Sequence, residues 1–310
     1  MMYDVIIIGS GPAGLTAAIY TTRANLKTLI VAGSVWGGQL MLTSIVENYP
    51  GFPDGIQGPE LMMAMRKQAE RHGAEVMELD FQEGDFSQKP FVVKANNKTF
   101  TGRSVIIATG ANVKWLDVPG EKGFIGKGVS SCATCDAPFF RGKNVIVVGG
   151  GDTAVDDALV LAKTAASVSL VHRRETLRAS NIMQQRIFAN PKIQFFWNYA
   201  VSEIKGGDKV TAAVIKNIQT GETKELAVDG VFVAIGQTPN TTVFKGIKLD
   251  DQGYILVNDH TKTNVPGVFV AGDVHDAHYK QAITAAGMGC MAALDTERWL
   301  SEQKQGGEKN

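Results

Sequence analysis

The sequence predicts an α/β protein made of two copies of one parallel-sheet unit, the second inserted into the first. Three observations carry that expectation. An apolar run, a glycine-rich turn and a helical stretch follow one another twice, starting at Val5-Ile6-Ile7-Ile8 and at Val145-Ile146-Val147-Val148. Each copy closes on a similar terminal strand, Val105-Ile106-Ile107-Ala108-Thr109-Gly110 in the first and Val231-Phe232-Val233-Ala234-Ile235-Gly236 in the second. A further strand, Val268-Phe269-Val270-Ala271-Gly272-Asp273, comes after both, so the first copy resumes once the second is complete. Internal repetition of this kind marks a duplicated supersecondary unit.

In the first copy the turn is Gly9-Ser10-Gly11-Pro12-Ala13-Gly14, and the helix runs through Ala17, Ala18 and Tyr20. In the second the turn is Gly149-Gly150-Gly151-Asp152-Thr153-Ala154, with a helix from Val155 to Lys163. The first glycine permits a tight turn, the second lets backbone N–H groups approach a pyrophosphate, and the third small residue packs helix on strand. The helix then presents its positive dipole end to the anion. One such match is weak, because glycine-rich turns are common. Two in strand–turn–helix context, each with its terminal strand, point to two Rossmann-like dinucleotide-binding domains, three-layer, with a parallel sheet plus a β-meander.

The two sites are expected to differ. Val168-Ser169-Leu170-Val171 reads as the next strand of the second copy and ends in His172-Arg173-Arg174, with Arg178 expected one helical turn further on. The position roughly 20 residues past the glycines reads the ribose, and arginines there suit a 2′-phosphate. Arg173, Arg174 and Arg178 therefore argue for NADPH over NADH; the plainer alternative is a solvated basic helix start. The first copy has Leu29-Ile30-Val31-Ala32-Gly33 at that point, with neither carboxylate nor arginine. Gly272-Asp273, before a helix expected over 281–293, suits a carboxylate set on a flavin ribityl chain, or else a simple helix cap.

Chain order then gives the domains: about residues 1–115 and 244–310 form the first, and 116–243 the inserted one. Turn formers at Asp117-Val118-Pro119-Gly120-Glu121-Lys122-Gly123 and Gln237-Thr238-Pro239-Asn240 read as the linkers.

Composition narrows the class. Of 310 residues, 44% are apolar, enough for sizeable cores, and Lys plus Arg equals Asp plus Glu at 31 each. Such a balance offers no global attraction to nucleic acid or an anionic membrane. No run approaches the ~18 apolar residues of a membrane helix. A strand pattern begins at Val5, so no leader is expected and a cytoplasmic location is. Three cysteines are too few for a disulfide framework.

Two of those cysteines form Cys132-Ala133-Thr134-Cys135-Asp136. The spacing suits a disulfide that opens and closes at a helix start. Zinc is the rival, but a structural site needs four ligands. Cys290 is expected to be a buried inert thiol, and His275 and His278 are a poor substitute for a second pair. No metal is expected. Asp136 has two readings: an acid–base group for the sulfurs, or an N-cap before Ala137-Pro138.

With these residues in hand, the sequence resembles the low-molecular-weight thioredoxin reductases over nearly its whole length. The matching segments are both glycine turns, Gly37-Gly38-Gln39-Leu40, Glu47-Asn48-Tyr49-Pro50-Gly51-Phe52-Pro53, Ala108-Thr109-Gly110, the cysteine motif and His172-Arg173-Arg174. Ala271-Gly272-Asp273, Gln281-Ala282-Ile283-Thr284 and Gly289-Cys290-Met291-Ala292-Ala293 match as well.

The resemblance implies FAD in the split domain and NADPH in the inserted one, with thioredoxin as substrate of a homodimer. It implies that Cys135 lies nearer the flavin, that Cys132 attacks thioredoxin, and that Asp136 is the acid–base residue. Cofactor contacts are implied for Gly9, Gly11, Pro12, Ala13, Gly14, Gly38, Gln39, Asn48, Ala108, Thr109, Gly110, Gly272, Asp273, Lys280, Gln281 and Ala282. On the second copy they are Gly149, Gly151, Asp152, Thr153, Ala154, His172, the three arginines and Gly236.

Three positions depart from the family pattern: Asp156 for Glu, Lys280 for Arg and Ala137 for Gly. An arginine's bidentate grip becomes a point charge at Lys280. The rival functions are reduction of a peroxiredoxin or another thioredoxin-like partner, electron uptake from a ferredoxin-like carrier, and a flavin-bound redox sensor. Since the cysteines and the NADPH motif share the inserted domain, the chain order also predicts a domain rotation in each turnover.

Overall fold

In the computed structural model residues 2–43 and 45–307 are described; Met1, Ser44 and residues 308–310 of the expected first domain lie outside them. The chain divides into two compact units, Met1–Asn112 with Thr238–Asn310, and Val113–Gln237.

Unit 1 opens with β1 (Met2–Ile8), α1 (Pro12–Arg23), β2 (Thr28–Val31), α2 (Gly58–Arg71) and β3 (Glu75–Met77). A meander follows: β4 (Phe81–Asp85), β5 (Phe91–Ala95) and β6 (Lys98–Ile107). Unit 2 contains β7 (Val129–Ser130), α3 (Ala133–Asp136), β8 (Asn144–Val148), α4 (Asp152–Ala162), β9 (Ser167–His172), α5 (Asn181–Phe188) and β10 (Ile193–Trp197). Its meander is β11 (Tyr199–Gly206), β12 (Val210–Asn217) and β13 (Thr223–Ala227), and β14 (Gly230–Val233) closes it. The chain then returns to unit 1 for β15 (Val268–Val270) and α6 (Ala282–Gly307).

The sheet of unit 1 runs β3-β2-β1-β6-β5-β4, with β15 also on β6. Its β1, β2, β3, β6 and β15 are parallel, and the meander is antiparallel. The all-parallel sheet of unit 2 runs β7-β14-β8-β9-β10, beside a separate antiparallel β11-β12-β13. The expected α/β class of two Rossmann-like units is what forms.

A strand buried on both faces reads as a continuous apolar run, which is why Val5–Ile8 and Val145–Val148 show no polar alternation. Val5 and Ile7 face the helices α1, α2 and α6, while Ile6 and Ile8 face the meander with Phe91, Val93 and Phe100. In the same way Val145 and Val147 pack with α4 and α5, and Ile146 and Val148 with Val201, Ala213 and Ile215. Each unit is therefore helix layer, sheet, meander.

The two crossings are short paired strands, Ala111–Val113 and Gln237–Pro239. Asn240 N–H donates to Gly110 O and Lys114 N–H to Gly236 O, both at 3.0 Å. Thr109 Oγ1 donates to Asn240 O and Asn240 Nδ2 to Thr109 O, both at 2.9 Å.

Two local expectations need correction. The last helix runs on to Gly307, past the expected end at residue 293. Cys290 is half-buried instead of buried, and it meets the Tyr20 hydroxyl of α1.

The turn-rich segment after the first crossing hangs on one buried carboxylate. Glu121 is 0% exposed, and it accepts Leu116 N–H at 2.8 Å and Asp117 N–H at 2.7 Å. Those bonds hold Asp117 at φ +56°, a conformation unusual for a non-glycine residue. Removing the acceptor leaves two donors unsatisfied, at roughly 1–3 kcal/mol each. Glu121→Ala is expected to destabilise unit 2 by about 2–3 kcal/mol, and Glu121→Gln by less, in urea denaturation followed by unit 2 tryptophan fluorescence.

Candidate active site

At each glycine turn the backbone does two things. Any Cβ on Gly9 would collide with Ala108 O, and one on Gly149 with Ala234 O. Only glycine lets the turn lie that close to the end of the neighbouring strand. The next turn glycine is different: a Cβ on Gly11 or Gly151 would meet nothing within 4 Å. Both are N-caps that supply no side chain, so the first N–H groups of α1 and α4 open outward without a partner from the cap. This open cradle before a bare helix N-terminus fits a dinucleotide pyrophosphate in both units. Each turn also sits where strand order reverses, between β1 and β6 and between β8 and β14.

Unit 1 brings Gly38, Ala108 and Gly272 against the first turn. Gly272 lies so close to Ala13 that an added Cβ would stand 2.9 Å from the Ala13 Cβ, and one on Gly38 would stand 3.6 Å from Gly11 Cα. Gln39 Nε2 reaches Ala111 O at 3.5 Å, and Asn48 Nδ2 reaches Gln281 Oε1 at 3.3 Å. Asp273 caps no helix. Burial first, and then Asp276, raise its carboxyl to about 6 while Lys280 opposes the rise. Lys280 takes φ +51° and lies 5.9 Å from the Tyr254 ring centroid, ahead of Ala282 at the start of α6.

In unit 2 the arginines do not stand on a helix. The segment after β9 is a loop, and α5 begins only at Asn181. Buried Leu177 and Ala179 anchor that loop in the core and leave Arg173, Arg174 and Arg178 exposed. His172 is 5% exposed and lies beneath Gly150, where any Cβ would strike its ring. Its Nε2 lies 3.1 Å from Thr176 O. Burial first, with the three arginine charges adding, lowers its pKa against the pull of that carbonyl. Asp152 and Thr153 are exposed in the first turn of α4, Ala154 is buried, and Gly236 takes φ +107°.

Cys132 and Cys135 are joined in a disulfide across the first turn of α3. Cys132 is the helix N-cap, and its sulfur accepts Cys135 N–H at 3.2 Å. Asp136 precedes the Ala137–Phe140 turn, but its side chain does not cap it. Burial raises its carboxyl above the usual range, and a hydrogen bond from Ser130 offsets part of the rise.

Two residues around the disulfide escaped the sequence reading. Ser130 Oγ accepts Cys132 N–H at 3.1 Å. Asp157, 8% exposed on α4, accepts Ala133 N–H at 3.3 Å. Burial is the main cause that lifts the Asp157 carboxyl to about 7. The sequence offered one signal for Asp157: it falls three and four residues from Ala154 and Leu161 and beside Ala158, on the apolar face of α4. Among the described residues no group of three or more His, Cys, Asp or Glu is arranged to hold a metal, and no helix is long and apolar enough to cross a membrane.

The fold and this site define a class: two-domain oxidoreductases that pass electrons from a pyridine nucleotide to a disulfide. Comparison with known proteins agrees, and the chain belongs to the pyridine nucleotide-disulphide oxidoreductases, whose family model matches residues 3–289. Within that family it is similar to proteins named thioredoxin reductase. It is 48% identical to the thioredoxin reductase of Coxiella burnetii over 98% of both chains. Identity is 50% with the bifunctional thioredoxin reductase/thioredoxin of Mycobacterium leprae, over 97% of this chain and 66% of that one. The solved thioredoxin reductase of Giardia duodenalis superimposes with a TM-score of 0.93 at 44% identity, over 97% of this chain and 99% of its own.

A carboxyl that keeps its proton up to pH 7 when folded, but only to about 4 when unfolded, favours the folded state at low pH. That contribution is lost as pH rises from about 4 through 7. Asp157→Asn keeps an acceptor for Ala133 N–H and removes the ionisation. The variant is expected to gain thermal stability over the parent at pH 8, by about 2–4 °C, the scale of about 1 kcal/mol. Scanning calorimetry at pH 5 and pH 8 checks this, and the gain shrinks at pH 5.

Proposed function

We propose that unit 1 holds FAD and unit 2 holds NADPH in a thioredoxin-disulfide reductase. The single observation that carries this reading is a formed disulfide on the same unit as an arginine-flanked glycine turn, while a second glycine turn lies on the other unit. Thioredoxin as substrate is supported by the relatives' names, including one in which reductase and thioredoxin share a polypeptide. Gly9, Gly11 and Gly14 with Asp273 serve FAD. Gly149 and Gly151, with Arg173, Arg174 and Arg178 around the 2′-phosphate, serve NADPH. Exposed Tyr20, Met63, Ile283, Met291 and Leu294 on α1, α2 and α6 support a homodimer formed through unit 1. A reducing cytoplasm suits a disulfide that must reopen in every cycle.

FAD held by Gly9, Gly11, Gly14 and Asp273 would supply the two-electron relay between NADPH and the Cys132–Cys135 disulfide. The protein's own residues do the rest. Cys132 stands at the helix N-cap, where its thiolate meets the Cys135 N–H and the positive end of a short helix. Its sulfur attacks one sulfur of the thioredoxin disulfide, forming a mixed disulfide and expelling a thiolate. Cys135 then attacks Cys132 Sγ, which restores the Cys132–Cys135 bond and releases the second thiolate. Asp136, whose pKa is raised by burial, holds the proton that a leaving thiolate needs and takes one back from the reduced Cys132–Cys135 pair as its thiol becomes the attacking thiolate.

Chain order sets a further demand. Disulfide and nicotinamide must each reach the same flavin, and both belong to unit 2. Unit 2 therefore turns about the paired strands Ala111–Val113 and Gln237–Pro239 in each turnover, on the microsecond-to-millisecond scale of such motions.

Cys132→Ser and Cys135→Ser are each expected to abolish thioredoxin reduction while NADPH still bleaches the flavin. Asp136→Asn is expected to slow thioredoxin reduction by about 10²–10⁴-fold. Stopped-flow absorbance separates the two half-reactions, and loss of flavin bleaching in the serine variants contradicts the assignment.

An engineered cross-link between the units is expected to stop turnover and leave one half-reaction at its normal rate. Both half-reactions running normally in the locked protein contradicts the rotation.

A further inference from the structure

Asp152 stands at the second glycine turn, where the cofactor's phosphates are expected, yet its carboxylate is engaged elsewhere. Its Oδ1 accepts Ser180 N–H and Ser180 Oγ–H, both at 2.9 Å. Ser180 is the N-cap of α5, the position where a serine hydroxyl ordinarily accepts from the first turn of its own helix. Here it makes no cap bond. The hydroxyl is turned back across the loop to a residue 28 positions earlier.

The same loop is tied to the same turn twice more. Gly150 O accepts Arg178 N–H at 2.7 Å and Ala179 N–H at 3.2 Å. His172 fills the space under Gly150 and meets Thr176 O. The peptide that shapes the phosphate turn thus also fixes the backbone of Arg178. Of these ties, only the Asp152–Ser180 pair is made by side chains at both the turn and the loop exit.

We infer that Asp152 and Ser180 form a latch that sets the arginine loop for the 2′-phosphate, so that both act as specificity-positioning residues and not as cofactor ligands. The inference rests on the reading that Arg173, Arg174 and Arg178 hold that phosphate. Long exposed arginines lose much side-chain and loop entropy when they close on an anion. A loop already held in place loses less. The latch also resolves an electrostatic conflict. A carboxylate at the start of α4 would repel a neighbouring pyrophosphate, and two donors on Oδ1 turn its charge toward Ser180 instead. Asn in place of Asp152 presents the same Oδ1 acceptor without the charge.

The experiment measures binding of 2′,5′-ADP and of 5′-AMP by calorimetry, with amide hydrogen exchange of residues 178–180 in the nucleotide-free holoprotein. Asp152→Ala and Ser180→Ala are expected to weaken 2′,5′-ADP roughly tenfold, about 1.4 kcal/mol, with a smaller change for 5′-AMP. Both are expected to speed exchange at the Arg178 and Ser180 amides. Asp152→Asn is expected to keep slow exchange and to bind 2′,5′-ADP at least as well as the parent. Unchanged exchange or unchanged 2′,5′-ADP affinity in Asp152→Ala overturns the latch. So does a loss of affinity in Asp152→Asn with exchange still slow, which would make Asp152 a direct ligand. A double variant Arg173→Ala/Arg174→Ala tests the underlying reading separately. If it keeps full preference for 2′,5′-ADP, the phosphate assignment falls, while the exchange data still report on the latch.

Discussion

Both units depend on one backbone-to-backbone approach. The first glycine of each turn lies against the carbonyl that follows the neighbouring strand, Ala108 O in unit 1 and Ala234 O in unit 2. That approach ends the strand and starts the helix within a few residues. It leaves the second glycine open and the helix N-terminus bare, which is what an anion requires. Any side chain at Gly9 or Gly149 would push the helix off the sheet and close the cradle. The layers above and below are the means of holding this turn rigid. The apolar runs bury both faces of the central strand, and each meander backs the sheet from the side away from the helices.

The disulfide uses a second principle, the control of charge by burial. Two carboxyls, Asp136 and Asp157, are both pushed upward by desolvation near the cysteine helix. They do different work. Asp136 directly follows Cys135 in the chain and accepts a hydrogen bond from Ser130. Asp157 reaches α3 from α4 and fixes the Ala133 amide between the two sulfurs. Two carboxyls with similar chemistry thus meet the cysteine helix in different ways, one through Ser130 and one through the Ala133 amide. At the arginine loop the logic is reversed. Exposed charges are carried on a loop anchored from below by buried Leu177, Ala179 and His172.

Much of this was legible in the residues. Paired glycine turns after apolar runs specify two nucleotide units because backbone geometry at Gly9 and Gly149 admits no other residue. Cys132-x-x-Cys135 specifies a disulfide because that spacing brings the sulfurs together across one helical turn. Arg173, Arg174 and Arg178 are exposed as the sequence suggested, but the helix expected beneath them is a loop. Buried Leu177 and Ala179 alternate with Arg178 in an extended segment, and that pattern is too short to distinguish from a helix start.

What the sequence by itself determined were the features carried by local geometry and chemistry: strand, turn, helix, disulfide and the sign of the charge on the segment after β9. Only the tertiary structure decided which polar residues serve them. Asp157 is distinguished from Asp156 by the face of α4 that packs on α3, and Glu121 by the folding of its own turn around two amides. Ser180 binds Asp152 instead of capping α5 because the loop returns it to the glycine turn. The physical reason is common to all three. A hydrogen bond has no period and no composition, and its partner is fixed by where the chain brings distant residues together.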